Sequence, residues 1–307
     1  MQHLKKVVLT GVNGQVGYVL KQKLEQDNQL ILFSLTREQL DLSNQNEIRR
    51  IIREIKPDII INPAAYTAVD KAESEPDLAF AINAEAPRVL AEEAAKLNGL
   101  LVHYSTDYVF DGSKLSPYVE EDETNPLGVY GKSKLAGEQA IRDVGAAHLI
   151  FRTSWVYGAY GKNFFNTILR LASEHASLRI VGDQFGAPTS SLSIADATIH
   201  VLNRMDAPNQ ANLFGLYHMT NTGKTSWHGF ANEIVVQYAQ LAKSNTLPPL
   251  KAGASNIASI TTAEYPTPAI RPKNSSLDLS KLNQTFGIQL PPWQDALADI
   301  INVAHRK

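Results

Sequence analysis

The sequence predicts an α/β fold: a Rossmann-like, doubly wound parallel sheet followed by a smaller α/β substrate domain. Three observations predict it. Short apolar runs alternate with segments whose apolar residues recur at helical spacing. The runs are continuous, as in 58–62, which suits strands covered on both faces. The first run ends in glycines at 11, 14 and 17, directly before a helical pattern.

Residues 6–10 read as the first strand and 15–26 as a helix, with Val16, Val19, Leu20 and Leu24 on one face. Residues 30–35 are the second strand. Residues 44–56 are a helix carrying Ile48, Ile51, Ile52 and Ile55, with Ser43 as its candidate cap and Pro57 closing it. Strand 58–62 follows, then an alanine-rich helix over 87–98 stopped by Gly99. Strand 100–105, helix 130–144 and strand 148–153 complete the regular half.

Beyond about residue 155 the pattern loosens. Helices are expected over 163–175, 194–205, 226–243 and 293–305, with strands at 178–184 and 215–219 and a turn at 186–189. The stretch 244–282, rich in Pro, Ser, Thr and Asn, reads as an irregular, substrate-facing segment. The expected division is a nucleotide-binding domain over 1–155, with elements returning to it from about 194–221. The substrate domain would comprise 156–193 and 222–307.

Composition narrows the function classes. Of 307 residues, 29 are Lys or Arg and 31 are Asp or Glu, so no electrostatic argument favours nucleic acid or an anionic membrane. There is no cysteine, which removes disulfides, thiolate nucleophiles and Cys-ligated zinc. The eight histidines form no H-E-x-x-H pair, so no metal site is expected. The opening MQHLKKVVLTGVNG reads as a first strand rather than a signal peptide, and no apolar run nears the roughly 18 residues that span a bilayer. A cytoplasmic protein is expected.

The chemistry lies in six places. In Thr10-Gly-Val-Asn-Gly-Gln-Val-Gly17, Gly11 would allow the tight turn, Gly14 the approach of a pyrophosphate, and Gly17 close helix–strand packing. Asn13, Gln15 and Val16 complete this phosphate loop, and the helix that follows would offer amides and a positive dipole end. The second strand runs Leu32-Phe-Ser-Leu-Thr-Arg37 without an acid to meet a ribose 2′-hydroxyl. Thr36 and Arg37 would instead meet a 2′-phosphate, which favours NADPH, with NADH also usable. Asp41 and Leu42 would lie near the adenine. Small residues after strand 58–62, Ala64 and Ala65, with Tyr66 beside them, would let a cofactor cross the strand end.

Strand 100–105 delivers Tyr104 to the cofactor and hydroxyls to its own end. Thr106 would bond a carbonyl or align a phenol, and Asp107 would bind substrate hydroxyls or take part in a second proton transfer. Tyr130-Gly-Lys-Ser-Lys134 sets a phenol and an ammonium four residues apart, on one helix face. The lysine would lower the phenol pKa and hold the nicotinamide ribose, making Tyr130 a general acid for hydride transfer. In the looser half, Trp155 would pack on a sugar or base, Arg271 would pair with a diphosphate, and Asn163 and Gln184 are further substrate candidates.

On these segments the chain resembles the dTDP-4-dehydrorhamnose reductases, within the extended short-chain dehydrogenase/reductase family. The resemblance is carried by GVNGQVG (11–17), NPAAYTAVDKAESEP (62–76), HYSTDYVFDG (103–112), NPLGVYGKSKLAGE (125–138), FRTSWVYG (151–158), GDQFGAPT (182–189), GLYHMTN (215–221) and YPTPAIRPKNSSL (265–277). It implies NADPH-dependent reduction of the C4 ketone of dTDP-4-dehydro-L-rhamnose, for the synthesis of surface polysaccharide. By position it implies a catalytic set of Thr106, Tyr130 and Lys134, and places Asp107 and Trp155 at the nucleotide sugar. Some members of the family form dimers bridged by magnesium through glutamates. One such position corresponds here to Leu192, which cannot ligate a hard cation, so a monomer is expected. Another nucleotide-sugar enzyme of the same fold, an epimerase or a reductase of a different 4-keto sugar, and a non-catalytic nucleotide-binding regulatory subunit are the competing readings.

Overall fold

The computed structural model describes residues 4–205, 210–244 and 247–305. Its first half runs β1 (Lys5–Leu9), α1 (Gln15–Leu24), β2 (Leu30–Ser34), α2 (Gln45–Ile55), β3 (Ile59–Asn62), α3 (Val69–Ala72) and α4 (Pro76–Phe80). A π-helical turn (Ala81–Glu85) leads into α5 (Ala86–Lys96), then β4 (Leu100–Thr106), α6 (Val129–Val144) and β5 (His148–Thr153). The second half begins β6 (Val156–Tyr157), α7 (Phe164–Glu174), β7 (Leu178–Val181), β8 (Phe185–Gly186), β9 (Thr189–Ser190) and α8 (Ser191–Arg204). It ends β10 (Gly215–His218), β11 (Thr225–Ser226), α9 (Trp227–Ser244), β12 (Ile257–Ile260), α10 (Ser280–Phe286) and α11 (Trp293–Ala304).

Six strands form one parallel sheet in the order β10-β5-β4-β3-β1-β2. The chain leaves β1 for β2 on one side and returns to β3 on the other. That reversal opens a crevice at the carboxyl ends of β1 and β3, where ligands of open α/β sheets bind. The period-2 alternation of strands sorts the apolar residues onto two faces. Val7, Leu9, Val102 and Phe151 pack against Val19 and Leu20 of α1, Ile194 of α8 and Phe286 of α10. Val8, Ile60, Leu101 and Ile150 meet Ile48 and Ile52 of α2, Leu90 of α5 and Ile141 of α6. A separate core joins Phe165 and Ile168 of α7, Phe230 and Ile234 of α9, and Trp293 and Ile300 of α11.

Two local expectations are corrected. The cap of α2 is Asn44, whose side chain accepts from the Glu47 amide, because Ser43 is already bound to Asp41 through both its amide and its hydroxyl. The stretch 244–282 is partly regular, since β12 pairs with β7 and α10 begins at Ser280. The expected strand at 215–219 does return to the main sheet, beside β5. No helix among the described residues is long and apolar enough to cross a membrane.

Candidate active site

A cleft of about 760 Å³ opens where β1, β3, β4 and β5 end. That volume suits a cofactor and part of a substrate. Its floor is the glycine loop. Gly11 has a positive φ of 57°, and a Cβ on Gly17 would lie 2.2 Å from the Gly11 carbonyl oxygen, so both positions require glycine. Asn13, Gly14, Gln15 and Val16 line the same wall. Helix α1 starts there with no side-chain cap and no acid in its first turn. Its leading amides are therefore open to an anion.

Thr36, Arg37, Asp41 and Leu42 extend the lining beyond β2, and Ala64 and Ala65 extend it beyond β3. Arg37 is exposed, and its charge acts on Asp41. The Asp41 carboxyl is held below its usual pKa chiefly by its bonds to Ser43. These residues fit a dinucleotide, with the cation placed to meet a ribose phosphate. Tyr66 is not part of the lining: its hydroxyl donates to Glu75 (2.6 Å) and its amide to Asn83.

The opposite wall is built by β4 and α6. Tyr104, Thr106, Asp107, Tyr130 and Lys134 all line it. The Tyr130 ring packs edge-on against Tyr108 at 5.5 Å. Lys134 is 2% exposed; its ammonium donates to the Tyr104 carbonyl (2.6 Å) and lies 3.1 Å from His103 Nε2. Burial pushes the Lys134 pKa down to about 8, with Glu138 pulling it up. Neutral pH therefore still leaves the ammonium as the major form.

The sequence expects Lys134 to lower the Tyr130 pKa, but here burial raises it to about 12, against the pull of the Thr106 hydroxyl. The lysine nitrogen is drawn instead to Tyr104 and His103. Asp107 is buried, and its Oδ1 accepts from the Thr106 hydroxyl at 3.0 Å. Burial raises its pKa to about 6, with Ser275 and Thr106 opposing. At neutral pH it is mostly ionised, and slight acidification protonates it.

The far end of the cleft is aromatic. Trp155 sits in a left-handed backbone conformation (φ 46°) and stacks on Trp227, with ring centroids 3.6 Å apart and planes 8° from parallel. Phe164 abuts Trp227 at 4.6 Å. Asn163 ties this end to the glycine loop by donating to Gln15 Oε1 (3.1 Å). Gln184 and Arg271 do not line the cleft. Gln184 donates to Thr262, and Arg271 pairs with Asp70 at 2.8 Å, beside Tyr108.

Sequence reading missed Trp227 and Phe164, which carry no motif and meet the cleft only through the tertiary fold. It also missed the buried support behind Lys134. There Glu138 binds Arg152 in a fully buried pair at 2.7 Å and accepts from Ser105. His103 adjoins Asn62, which adjoins Thr10. Among the described residues no group of three or more His, Cys, Asp or Glu is placed to hold a metal ion. Leu192 packs against two of the hydrophobic cores.

Comparison with known proteins places the chain in a family. The family model described as the RmlD substrate binding domain matches residues 5–306. A dTDP-4-dehydrorhamnose reductase of Burkholderia thailandensis is 48% identical over 294 residues, covering 95% of this chain and 96% of that protein. The crystal structure of a dTDP-4-dehydrorhamnose reductase from Clostridium acetobutylicum superposes with a TM-score of 0.89 at 35% identity, over 98% of this chain and 100% of that one. That of Bacillus anthracis, in complex with NADP, gives a TM-score of 0.85 at 35% identity, over 97% of this chain and 99% of that one.

Proposed function

The chain belongs to the dTDP-4-dehydrorhamnose reductase family, and from that premise we propose that it uses NADPH to reduce the C4 ketone of dTDP-4-dehydro-L-rhamnose to dTDP-L-rhamnose. The observation that carries this reading is the meeting of two sets of groups in one cleft: the uncapped start of α1 with its glycine loop, and Thr106, Tyr130 and Lys134. The first set suits a dinucleotide; the second suits proton transfer to a carbonyl oxygen.

Bound NADPH would supply the hydride. Gly11 to Gly17 would hold its pyrophosphate, and Thr36 and Arg37 its 2′-phosphate. Thr106 would orient the substrate carbonyl. The Tyr130 phenol would give its proton to the C4 oxygen, and a phenol held near 12 keeps that proton until the oxygen becomes strongly basic. Lys134 would stabilise the phenolate that results and bind the nicotinamide ribose. Asp107 and the Trp155 face would meet the nucleotide sugar, and Asn163 would hold the two ends of the cleft in register. Arg271 and Gln184 would take part only by releasing Asp70 and Thr262. A monomer is the matching assembly, since Leu192 offers no metal ligand.

The test follows NADPH absorbance with enzymatically generated dTDP-4-dehydro-L-rhamnose, beside NADH and a control without sugar. Sugar-dependent oxidation yielding dTDP-L-rhamnose is the expected result. Interconversion of sugars without net NADPH consumption would instead indicate an epimerase. NADPH binding without any turnover would point to a regulatory subunit.

A further inference from the structure

The buried lysine is not held by the cleft alone. Behind it runs a row of side chains that passes from α6 to β4, β3 and the residue after β1: Lys134 Nζ to His103 Nε2 at 3.1 Å, His103 Nδ1 to Asn62 at 3.1 Å, and Asn62 to the Thr10 hydroxyl at 2.6 Å. His103 and Asn62 are fully buried and Thr10 is 2% exposed, so no water competes for these bonds. Thr10 immediately precedes Gly11 of the nucleotide loop. The row therefore links the lysine to the cofactor floor.

The donors and acceptors of this row can be satisfied in two senses. In one, the Thr10 hydroxyl donates to Asn62 Oδ1, Asn62 Nδ2 donates to His103 Nδ1, and His103 Nε2–H points at the lysine nitrogen. That sense requires an uncharged lysine, whose lone pair accepts. In the other, the lysine is an ammonium and donates to a bare Nε2, so His103 carries its hydrogen on Nδ1 and gives it to Asn62 Oδ1. The Asn62 amide, turned by 180°, then donates to Thr10. Each charge state of Lys134 has one complete hydrogen-bonded arrangement, and His103 changes tautomer between them while staying neutral. Burial, and then the Lys134 charge, keep the imidazole from protonating.

We propose that His103 is a positioning residue for Lys134: its Nε2 accepts from the ammonium, fixes Nζ beside the Tyr104 carbonyl, and stabilises the charged lysine that the proton transfer needs. Nothing in the usual pairing of tyrosine and lysine requires a histidine at this position. The inference deepens the reductase reading and rests on it for its kinetic readout.

The other groups bearing on Lys134 are known. Glu138, one turn further along α6, favours the ammonium and is itself bound by Arg152 of β5. Tyr130 lies one turn back, and Asp107 acts on Tyr130. None of these changes when residue 103 is replaced.

Two polar replacements of similar bulk separate positioning from folding. The amide of His103→Gln reaches where Nε2 stands and still offers Lys134 an oxygen. The shorter amide of His103→Asn stays near Nδ1 and Asn62 and leaves the ammonium short of one acceptor. For the wild type, kcat is expected to fall as pH rises through about 8, the value to which burial brings Lys134, because the ammonium is lost above it. His103→Gln should keep that limb. His103→Asn should move it to lower pH by about one unit, since a hydrogen bond to a charged group is worth roughly that much, and so cut kcat at pH 8 about fivefold. KM for the sugar should stay unchanged. A lower kcat at every pH with the limb unmoved in His103→Asn would overturn the proposal.

The Lys134 Cε resonance in lysine-labelled protein, assigned with Lys134→Met, gives the same titration without substrate. If the wild type fails to turn over the sugar, the reductase reading fails, and this titration still decides the role of His103. An unchanged lysine titration in His103→Asn would reject it.

Discussion

The two walls of the cleft are made in different ways. The nucleotide wall is mostly backbone: Gly11 turns, Gly17 admits the Gly11 carbonyl, and α1 presents uncapped amides. The catalytic wall is mostly buried side chain: Lys134, His103, Glu138 and Arg152 are each at most 2% exposed and held by one another. A backbone wall needs few particular side chains, and its turn and its open amides lie within one short segment, 11–17. A side-chain wall draws its parts from β3, β4, α6 and β5, and it couples catalysis to stability.

The contrast can be pressed experimentally. The largest effect should come from Tyr130→Phe, which removes the proposed proton donor and should lower kcat by roughly 10²–10⁴-fold while NADPH still binds. A fully active variant would remove Tyr130 from the mechanism. Next is Glu138→Gln, which touches the catalytic wall from behind. It leaves Arg152 buried without its anion and should cost about 3–5 kcal/mol in urea unfolding. The exposed pair Arg50–Glu54 serves as control, where Glu54→Gln should change stability by less than about 0.5 kcal/mol. Equal costs at the two sites would mean that the wall is not a stability element.

Arg37→Ala probes the nucleotide wall at the side chain proposed to meet the 2′-phosphate. It should weaken NADPH binding about tenfold, in line with loss of a charge-assisted bond to phosphate, and leave NADH almost unchanged. Equal weakening of both would exclude a 2′-phosphate contact. The smallest expected effect concerns assembly. Sedimentation should show the same monomer with magnesium or with EDTA; a dimer that EDTA dissolves would refute the argument from Leu192.

The same contrast explains what the sequence disclosed. The glycine loop, the Tyr130–Lys134 spacing and the apolar strands are local patterns, and each could be read before the chain was folded. The return of Gly215–His218 to the sheet was legible only as an option, because a four-residue strand carries no address. The cap of α2 was misread because Asp41 captures Ser43 and leaves Asn44 to the helix. Trp227 and Phe164 come to the cleft from beyond β5, and nothing around them in sequence marks them. His103 was visible within HYSTDYVF, but only its approach to Lys134 and Asn62 gives it a task. The expected fall in the Tyr130 pKa failed for the same reason: spacing on a helix fixes the face, not where the ammonium finds its acceptors.

The central claim is that this cleft delivers a hydride to C4 of the keto sugar. The most direct measurement supplies NADPH deuterated at both C4 positions of the nicotinamide together with dTDP-4-dehydro-L-rhamnose, and examines the product by NMR and mass spectrometry. The account predicts dTDP-L-rhamnose carrying one deuterium, at C4 of the sugar, for each NADPH oxidised. Product without deuterium, or with the label at another carbon, would contradict it.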